Sequence, residues 1–258
     1  METSQISDSS SISKADSLTL ADIQNGIPIF YNMCLSVELS TMFLDANAIF
    51  DHELINPESN YINYQLSYDK ALNLGVFAVD LCYSNVYEQY GYCSKYLQGM
   101  SKLSNELGIP YHFISEVSAN SKSLSNSDSM YQYANKIYNQ TNEYLKANDQ
   151  EYATSLIITG GWVEAMYIAV KIAEQTASIK IIERIADQKN SINQLIDILN
   201  KQKNNQIVAG YIPKIKKIEA DLNDFAQNYM NKSGINTFNQ LSTDLSTLRN
   251  QITQTKAK

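Results

Sequence analysis

The chain has 258 residues, of which 44% are hydrophobic and 18% are charged, a composition typical of a folded globular protein. Its net charge of −7 is unevenly spread: residues 1–150 hold 7 Lys, no Arg and 17 acidic residues, whereas residues 151–258 hold 13 basic and 10 acidic residues. The basic cluster PKIKK at 213–217 is interpreted as a solvated helix face. Because phosphate contacts supply most of the affinity for nucleic acids, this composition argues against a nucleic-acid partner.

Turn-forming residues are scarce, with 9 Gly and 4 Pro in the whole chain. A sheet-rich protein of this length needs many more turns, so we expect long helices joined by short loops. The predicted fold class is all-α, a multi-helix bundle with a C-terminal antiparallel coiled-coil-like helical hairpin. We divide the chain into a flexible Ser-rich tether at 1–17, a helical bundle at 18–176 and a long-helix hairpin or three-helix extension at 177–258. The boundary near 176 is soft, and a single domain is the alternative.

Capping residues and helix-breaking residues in the sequence predict where the first helices begin and end. One helix begins near Pro28. After a loop, a second helix covers about 61–90, with Ser59 or Asn60 as its cap. Gly91 is the predicted break before the next helix.

Further along the chain, Gly108 followed by Pro110 is a strong signal for the end of a short helix. The polar segment SANSKSLSNSDS at 118–129 is predicted as a loop. Two more helices are expected after it, at about 129–147 and 150–175.

The last third of the chain repeats apolar residues at spacings of three and four, which is typical of a narrow coiled-coil seam. The segment KNNQIVAG at 203–210 is predicted as a linker between two antiparallel helices, with Pro213 in the first turn of the second one. KSGIN at 232–236 separates a third helix. The seam residues are Ile181, Ile185, Gln188, Ile192, Leu195, Leu199, then Tyr211, Ile215, Ile218, Leu222, Phe225, Tyr229, and then Phe238, Leu241, Leu245, Leu248, Ile252.

The three cysteines are Cys34, Cys82 and Cys93. Their odd number and the absence of CxxC spacing argue against a disulfide framework and a zinc site. If Cys82 and Cys93 shared one continuous helix, they would lie about 16 Å apart, too far for a disulfide. We interpret them as buried free thiols.

The apolar segment SLIITGGWVEAMYIAVKIA (155–173) contains two adjacent glycines and one acid, Glu164. One interpretation is a β-strand followed by a phosphate-binding turn, but neither GxGxxG nor GxxxxGK[ST] is present. We favour a continuous buried helix, in which each interior glycine costs about 1 kcal/mol relative to alanine. Close contact with a second helix would offset that cost. Gly75, within another apolar helix, is predicted to face Gly160 and Gly161 at this helix crossing.

Two acids lie within the most apolar helices, and each has a tyrosine three residues further on: Asp80 with Tyr83, and Glu164 with Tyr167. The functional hypothesis is a paired-carboxylate site for a cation, a small ligand or proton transfer, with Trp162 lining a pocket beside the glycines. The structural alternative is that the acids are hydrogen-bonded to tyrosine hydroxyls or backbone groups, and that Trp162 packs in the core.

Several catalytic motifs are missing from the sequence, and nothing marks a serine as the activated nucleophile of a Ser/His/Asp triad, an arrangement that the sequence leaves open. There is no Glu-x-x-His pair for a di-iron centre, no HExxH for a zinc hydrolase and no GxSxG nucleophile elbow. The two histidines, His52 and His112, follow Ile49 and Ile109 by three residues rather than a Glu. We therefore predict a protein that is not an enzyme, with no catalytic residues, no metal and no cofactor.

The segments GVFAVDLCYSNVYEQYGYCSKYLQGMSKLSNELGI (75–109) and SLIITGGWVEAMYIAVKIA (155–173) resemble those of a group of uncharacterised all-helical proteins of Bacteroidetes-type bacteria, many of them made as lipoproteins. The most specific elements are Gly75, Asp80 and Tyr83, the helix end LSNELGI, and GGWVEAMY. The resemblance covers most of the chain from about residue 28 onward. It implies an all-helical fold and a place in the periplasm or at the outer membrane, with a cytoplasmic location as the alternative.

The chain departs from the lipoprotein pattern because it has no lipobox cysteine. Under this resemblance, the Ser-rich start is a tether that follows a removed signal peptide and lipidated cysteine, and that anchor is the only expected membrane attachment. We expect a non-enzymatic helical binding or scaffold protein, whose partner is another protein or a second copy of the chain. A helical bundle that binds a small ligand or a cation near Asp80 and Glu164 is the alternative.

Overall fold

A computed structural model describes residues 42–110 and 143–254. This part of the chain consists of helices and loops and contains no strand, which confirms the predicted all-α multi-helix class. A 3-10 helix at Glu58–Asn63 precedes the longer helices. These are α1 (Ser67–Val86), α2 (Tyr90–Glu106), α3 (Glu151–Thr176), α4 (Ile179–Ala186), α5 (Lys189–Lys201), α6 (Gln206–Asn228) and α7 (Gly234–Thr253).

Helix α3 is the central element of the bundle. It packs against α1, α4, α5 and α7, and 18 of its 26 residues are buried. It is long and apolar enough to cross a membrane, but 83% of its most apolar window is buried inside the protein, as in the core helix of a globular protein. It ends at Thr176, because Ala177 adopts a left-handed conformation with φ 50°.

The C-terminal helices share one hydrophobic core with α1 and α3. Helix α7 packs against α1, α3 and α6, and α6 also packs against α5. All predicted seam residues within α4, α5 and their connection are buried. Helices on both sides of residue 176 therefore bury their apolar faces together.

The turn between α1 and α2 differs from the prediction. Helix α1 begins at Ser67 and ends at Val86, not at 61 and 90, and its N-cap residue Leu66 provides no side-chain cap. The left-handed residue in the turn is Glu88, with φ 57°, whereas Gly91 lies inside α2. The prediction of a helix break at Gly91 is therefore wrong. Backbone hydrogen bonds within the turn hold Glu88, which is not a glycine, in the left-handed conformation.

The start of α6 also differs from the prediction. Asn205 caps the helix by accepting hydrogen bonds from the backbone N–H groups of Ile207 and Val208. The helix therefore begins at Gln206, within the segment predicted as a linker, and Pro213 lies in its interior rather than in its first turn. A good N-cap outweighed the preference of proline for a first turn.

The end of α2 agrees with the sequence signal, since Gly108 has φ 78° directly after the helix. Several other predictions lie outside the described residues: the tether at 1–17, the start of the first helix near Pro28, the environment of Cys34, the loop at 118–129 and most of the helix at 129–147.

Candidate functional site: a buried carboxyl–arginine cluster

The crossing of α1 and α3 positions the candidate site. A Cβ atom at Gly75 would collide with the carbonyl oxygen of Ile157 and lie 2.7 Å from the backbone nitrogen of Gly161. A Cβ atom at Gly160 would collide with the carbonyl oxygen of Leu72. The two backbones are thus in direct contact where side chains are absent. This close approach brings the inward-facing acids of both helices, one turn further on, into the same part of the core.

Glu164 of α3 is fully buried and is paired with Arg249 of α7. The arginine donates Nε–H to Oε2 at 3.0 Å and Nη2–H to Oε1 at 2.9 Å, a bidentate arrangement. Nη2 also donates to the carbonyl oxygen of Leu54 at 3.3 Å, and the guanidinium carbon lies 4.7 Å from the ring centroid of Tyr167. Both oxygens of Glu164 are therefore engaged by the chain's own cation.

The pKa of Arg249 is raised although its burial favours the neutral form. Burial is the largest single influence, but the negative charge and the hydrogen bonds of Glu164 together outweigh it. The guanidinium thus remains charged in the core, and Glu164 and Arg249 neutralise each other.

Asp80 of α1 is the second acid of the cluster and is also fully buried. Its Oδ2 accepts the backbone N–H of Asn56 at 3.2 Å, while Oδ1 has no hydrogen-bond partner among the described residues. Burial, and then the negative charge of Glu164, raise the pKa of Asp80 well above its usual range, more than the nearby Arg249 lowers it. Its buried surroundings therefore favour the protonated form of Asp80 over the carboxylate.

A network of polar side chains, centred on Asn56, surrounds the acids. Besides its contact with Asp80, Asn56 accepts a hydrogen bond from the Tyr96 hydroxyl at its backbone carbonyl oxygen, at 2.6 Å. Its side-chain amide donates to the Tyr64 hydroxyl at 2.8 Å and to Asn73 Oδ1 at 3.2 Å. Through these bonds one loop residue connects α1, α2 and the 3-10 helix region.

The same network reaches the end of α7. Asn73 Nδ2 donates to the carbonyl oxygen of Ile252 at 2.9 Å, and the Tyr64 hydroxyl donates to that of Thr253 at 3.2 Å. These bonds satisfy carbonyls of the last turn, which have no partner within the helix. They fix the axial position of α7 and hence the height at which Arg249 meets Glu164.

The structure brings together three of the predicted ligand-binding residues, Asp80, Glu164 and Tyr167, and separates the other two. The Tyr83 hydroxyl accepts the backbone N–H of Asp51 at 3.1 Å, and its ring stacks on Phe50 at 5.5 Å.

Trp162 lies on the opposite side of α3 from the acids. Its Nε1–H donates to Ser191 Oγ of α5 at 3.1 Å, and its ring is almost completely buried. Tyr83 and Trp162 thus have partners of their own away from the carboxyl groups.

Sequence reasoning missed Arg249, Asn56 and the tyrosines of the network. One signal could have identified the arginine: two acids in the core of a bundle require a cation, and the chain contains only two arginines, Arg184 and Arg249. Arg249 follows the seam residue Leu248, so it lies beside the buried face of its helix.

The cluster does not have the composition of a metal centre. No group of three or more His, Cys, Asp or Glu residues that could hold a metal ion is found at 42–110 or 143–254. No family model, curated protein or solved structure matches this chain. The resemblance to the helical proteins of Bacteroidetes-type bacteria therefore remains an expectation.

Proposed function

We propose that this protein is a non-enzymatic helical binding or scaffold module of the bacterial cell envelope, and that it associates with a protein partner or with a second copy of itself. The observation that carries this proposal is the uneven distribution of exposed large apolar side chains. Of the eight such side chains at 42–110 and 143–254, six lie at the end of the bundle where α1 and α3 finish and α7 begins. We call this end the apolar end; its residues are Leu44, Ile49, Tyr90, Ile179, Met230 and Ile235.

Polar contacts bring the chain segments of the apolar end together. Lys180, next to Ile179, forms an ion pair with Asp45 at 3.7 Å. Gln175 Nε2 donates to Asp51 Oδ2 at 3.3 Å, which connects the end of α3 with the segment that carries Ile49.

The α6–α7 connection lies beyond the end of α3. Ser242 of α7 is hydrogen-bonded to Glu174 and to Lys171, near the C-terminus of α3. Ile235 is seven residues before Ser242 in the antiparallel helix, about 10 Å further along at 1.5 Å per residue. Single exposed apolar side chains are common, but their concentration at one end is typical of an interaction surface.

The predicted coiled-coil-like hairpin is part of the same proposal. We infer that α6 and α7 form it, since the ring centroids of Phe225 and Phe238 lie 5.3 Å apart and Lys217 is paired with Asp244. These two contacts keep one antiparallel register. Met230 in the turn between the helices and Ile235 in the first turn of α7 are exposed to solvent.

The buried acids favour this role over the alternative of a cation or small-ligand site. Both oxygens of Glu164 accept hydrogen bonds from Arg249, so a cation would have to displace an internal salt bridge. Thermal melting of the wild type with a panel of metal chlorides and small metabolites tests the alternative. We expect no rise in melting temperature; a rise that is lost in the Asp80→Asn variant would favour the ligand site.

Sedimentation velocity over a range of protein concentrations tests association through the apolar end. We expect the wild type to form a species heavier than the monomer, and the Ile179→Glu/Ile235→Glu variant to remain monomeric. The matched control is Ile62→Glu/Leu66→Glu, which changes two exposed apolar residues at the opposite end and should associate like the wild type. Equal behaviour of all three proteins would refute self-association through this end.

The proposed location rests on the resemblance and needs its own test. Fractionation of the native bacterium, with detection by an antibody against the purified chain, should place the protein in the periplasmic or outer-membrane fraction. Recovery in the cytosolic fraction alone would contradict the envelope location.

A further inference from the structure

Helices α1 and α2 form an antiparallel pair with a consistent register. Lys70 near the start of α1 forms a 2.8 Å salt bridge with Glu106 at the end of α2. In the middle, the Phe77 ring lies 5.3 Å from the Tyr96 ring, and a Cβ atom at Gly99 would be 2.7 Å from the Phe77 ring. Each step forward along α1 corresponds to one step back along α2. This register places residues 91–94 opposite the last turn and a half of α1, where residue 82 lies.

The two described cysteines lie at the same level of this helix pair. Cys93 Sγ lies 4.0 Å from the carbonyl oxygen of Leu81, the residue that precedes Cys82. Both are free thiols, Cys93 buried and Cys82 half-buried. Burial raises the pKa of Cys82 to about 12, and the nearby Cys93 thiol contributes to the shift. The turn at Glu88 has thus brought near each other two residues that one continuous helix would have kept about 16 Å apart.

We infer that Cys82 and Cys93 are a redox-active pair that forms a reversible disulfide between α1 and α2. The oxidant is a small-molecule disulfide such as oxidised glutathione. One cysteine thiolate attacks a sulfur of the oxidant, forms a mixed disulfide and releases one thiol. The thiolate of the second cysteine then attacks the protein sulfur of the mixed disulfide and releases the second thiol. The two protein thiols lose two electrons and two protons, and the oxidant is reduced to two thiols.

The surroundings of the pair set the rate and the consequence of the reaction. Only the thiolate attacks a disulfide, and burial raises the pKa of both Cys82 and Cys93. We therefore expect slow oxidation at neutral pH and a faster reaction as the pH rises. The bond would clamp the hairpin beside its turn, at the end of the bundle that carries Tyr90.

The test uses the full chain with the Cys34→Ser substitution, so that Cys82 and Cys93 are the remaining cysteines. The folded protein is incubated with oxidised glutathione, denatured and alkylated, and its mass is measured. We expect a monomer that takes up no alkyl group and carries no glutathione, and that recovers two alkylation sites after reduction. The disulfide removes conformational freedom from the unfolded chain, so its melting temperature should exceed that of the reduced form by about 5 °C.

Two matched controls carry either Cys82→Ser or Cys93→Ser in the same background. Each should stop at a mixed disulfide with glutathione or remain a free thiol, with no gain in melting temperature. Three results would overturn the inference: two thiols that stay alkylatable after incubation, two glutathione adducts on one chain, or a disulfide that lowers the melting temperature. The last result would show that the native helices hold the sulfur atoms out of bonding range.

Discussion

The core contains two regions that differ in the side chains buried between the helices. Between α1, α3 and α7 the core holds Asp80, Glu164 and Arg249 together with a polar network. Between α5, α6 and the neighbouring face of α7 it is almost entirely aliphatic and aromatic, with residues such as Leu222 and Leu245 fully buried. Apolar side chains tolerate small shifts in register, whereas a bidentate pair does not. The comparison indicates that the polar region fixes the arrangement of the helices. The apolar region stabilises the fold by burying apolar surface, without selecting one register.

The largest effect is expected from removing the internal cation. Arg249→Met would leave the charge of Glu164 buried without a partner, which should cost about 3–5 kcal/mol of unfolding free energy. Urea unfolding followed by circular dichroism measures the loss. The control Lys217→Met removes a positive charge from the ion pairs with Asp221 and Asp244 at the surface, and should cost less than about 1 kcal/mol. If Arg249→Met and Lys217→Met lose the same unfolding free energy, the buried ion pair contributes no more to stability than a surface ion pair.

The next effect concerns the helix crossing that supports the polar region. Gly160→Ala forces a Cβ atom against the carbonyl of Leu72 and should destabilise the protein by about 2 kcal/mol, despite the better helix propensity of alanine. Gly210→Ala in α6 is the matched control, since a Cβ atom there meets nothing within 4 Å. That variant should gain up to about 1 kcal/mol. Thermal melting measures both effects: the melting temperature should fall in Gly160→Ala and rise in Gly210→Ala.

The raised pKa of Asp80 predicts a distinct pH dependence of stability. Because its pKa is raised in the folded protein, the folded state retains a proton that the unfolded state loses above about pH 4. The stability contributed by this proton is complete below that pH and decreases by about 1.4 kcal/mol per pH unit until the folded pKa is reached. Asn in place of Asp80 cannot lose a proton, and its side-chain oxygen can still accept the backbone N–H of Asn56.

The measurement for this prediction is the difference in unfolding free energy between wild type and Asp80→Asn from pH 4 to pH 8. We expect the variant to gain stability relative to the wild type as the pH rises. A difference that does not change with pH would mean that Asp80 is ionised in the fold.

The smallest effect is expected in the apolar region. Leu222→Met in α6 conserves volume and should cost less than about 1.5 kcal/mol, with unchanged cooperativity of unfolding. Gln in place of Glu164 also conserves size, but it leaves the charge of Arg249 uncompensated, so its cost should be several times larger. If the two variants lose the same free energy in urea titrations, the distinction between the regions fails.

The parts that could be predicted from sequence are those that depend on local patterns. The central helix was predicted at 150–175 and is observed at Glu151–Thr176, because its apolar content and its length leave few alternatives. The pairing of Gly75 with the glycines of α3 followed from the cost of glycine in a helix.

The parts that could not be predicted depend on contacts between distant residues. Arg249 meets Glu164 across 85 positions in the chain, and no local pattern indicates that pairing. Because Tyr83 and Asp80 lie on nearly the same helix face, the sequence places them in one site. The Tyr83 hydroxyl instead accepts a hydrogen bond from the backbone N–H of Asp51 in a loop. The turn at Glu88 depends on backbone hydrogen bonds that the residue type does not reveal.

The position of Arg249 in the last described helix has a consequence for biosynthesis. A ribosome makes residues 67–176 well before residue 249, so Glu164 is present while its counter-charge is still missing. The crossing of α1 and α3 cannot bury the charge of Glu164 at low cost until α7 is present. We therefore expect α1 and α3 to complete their packing around Glu164 only after α7 has been made.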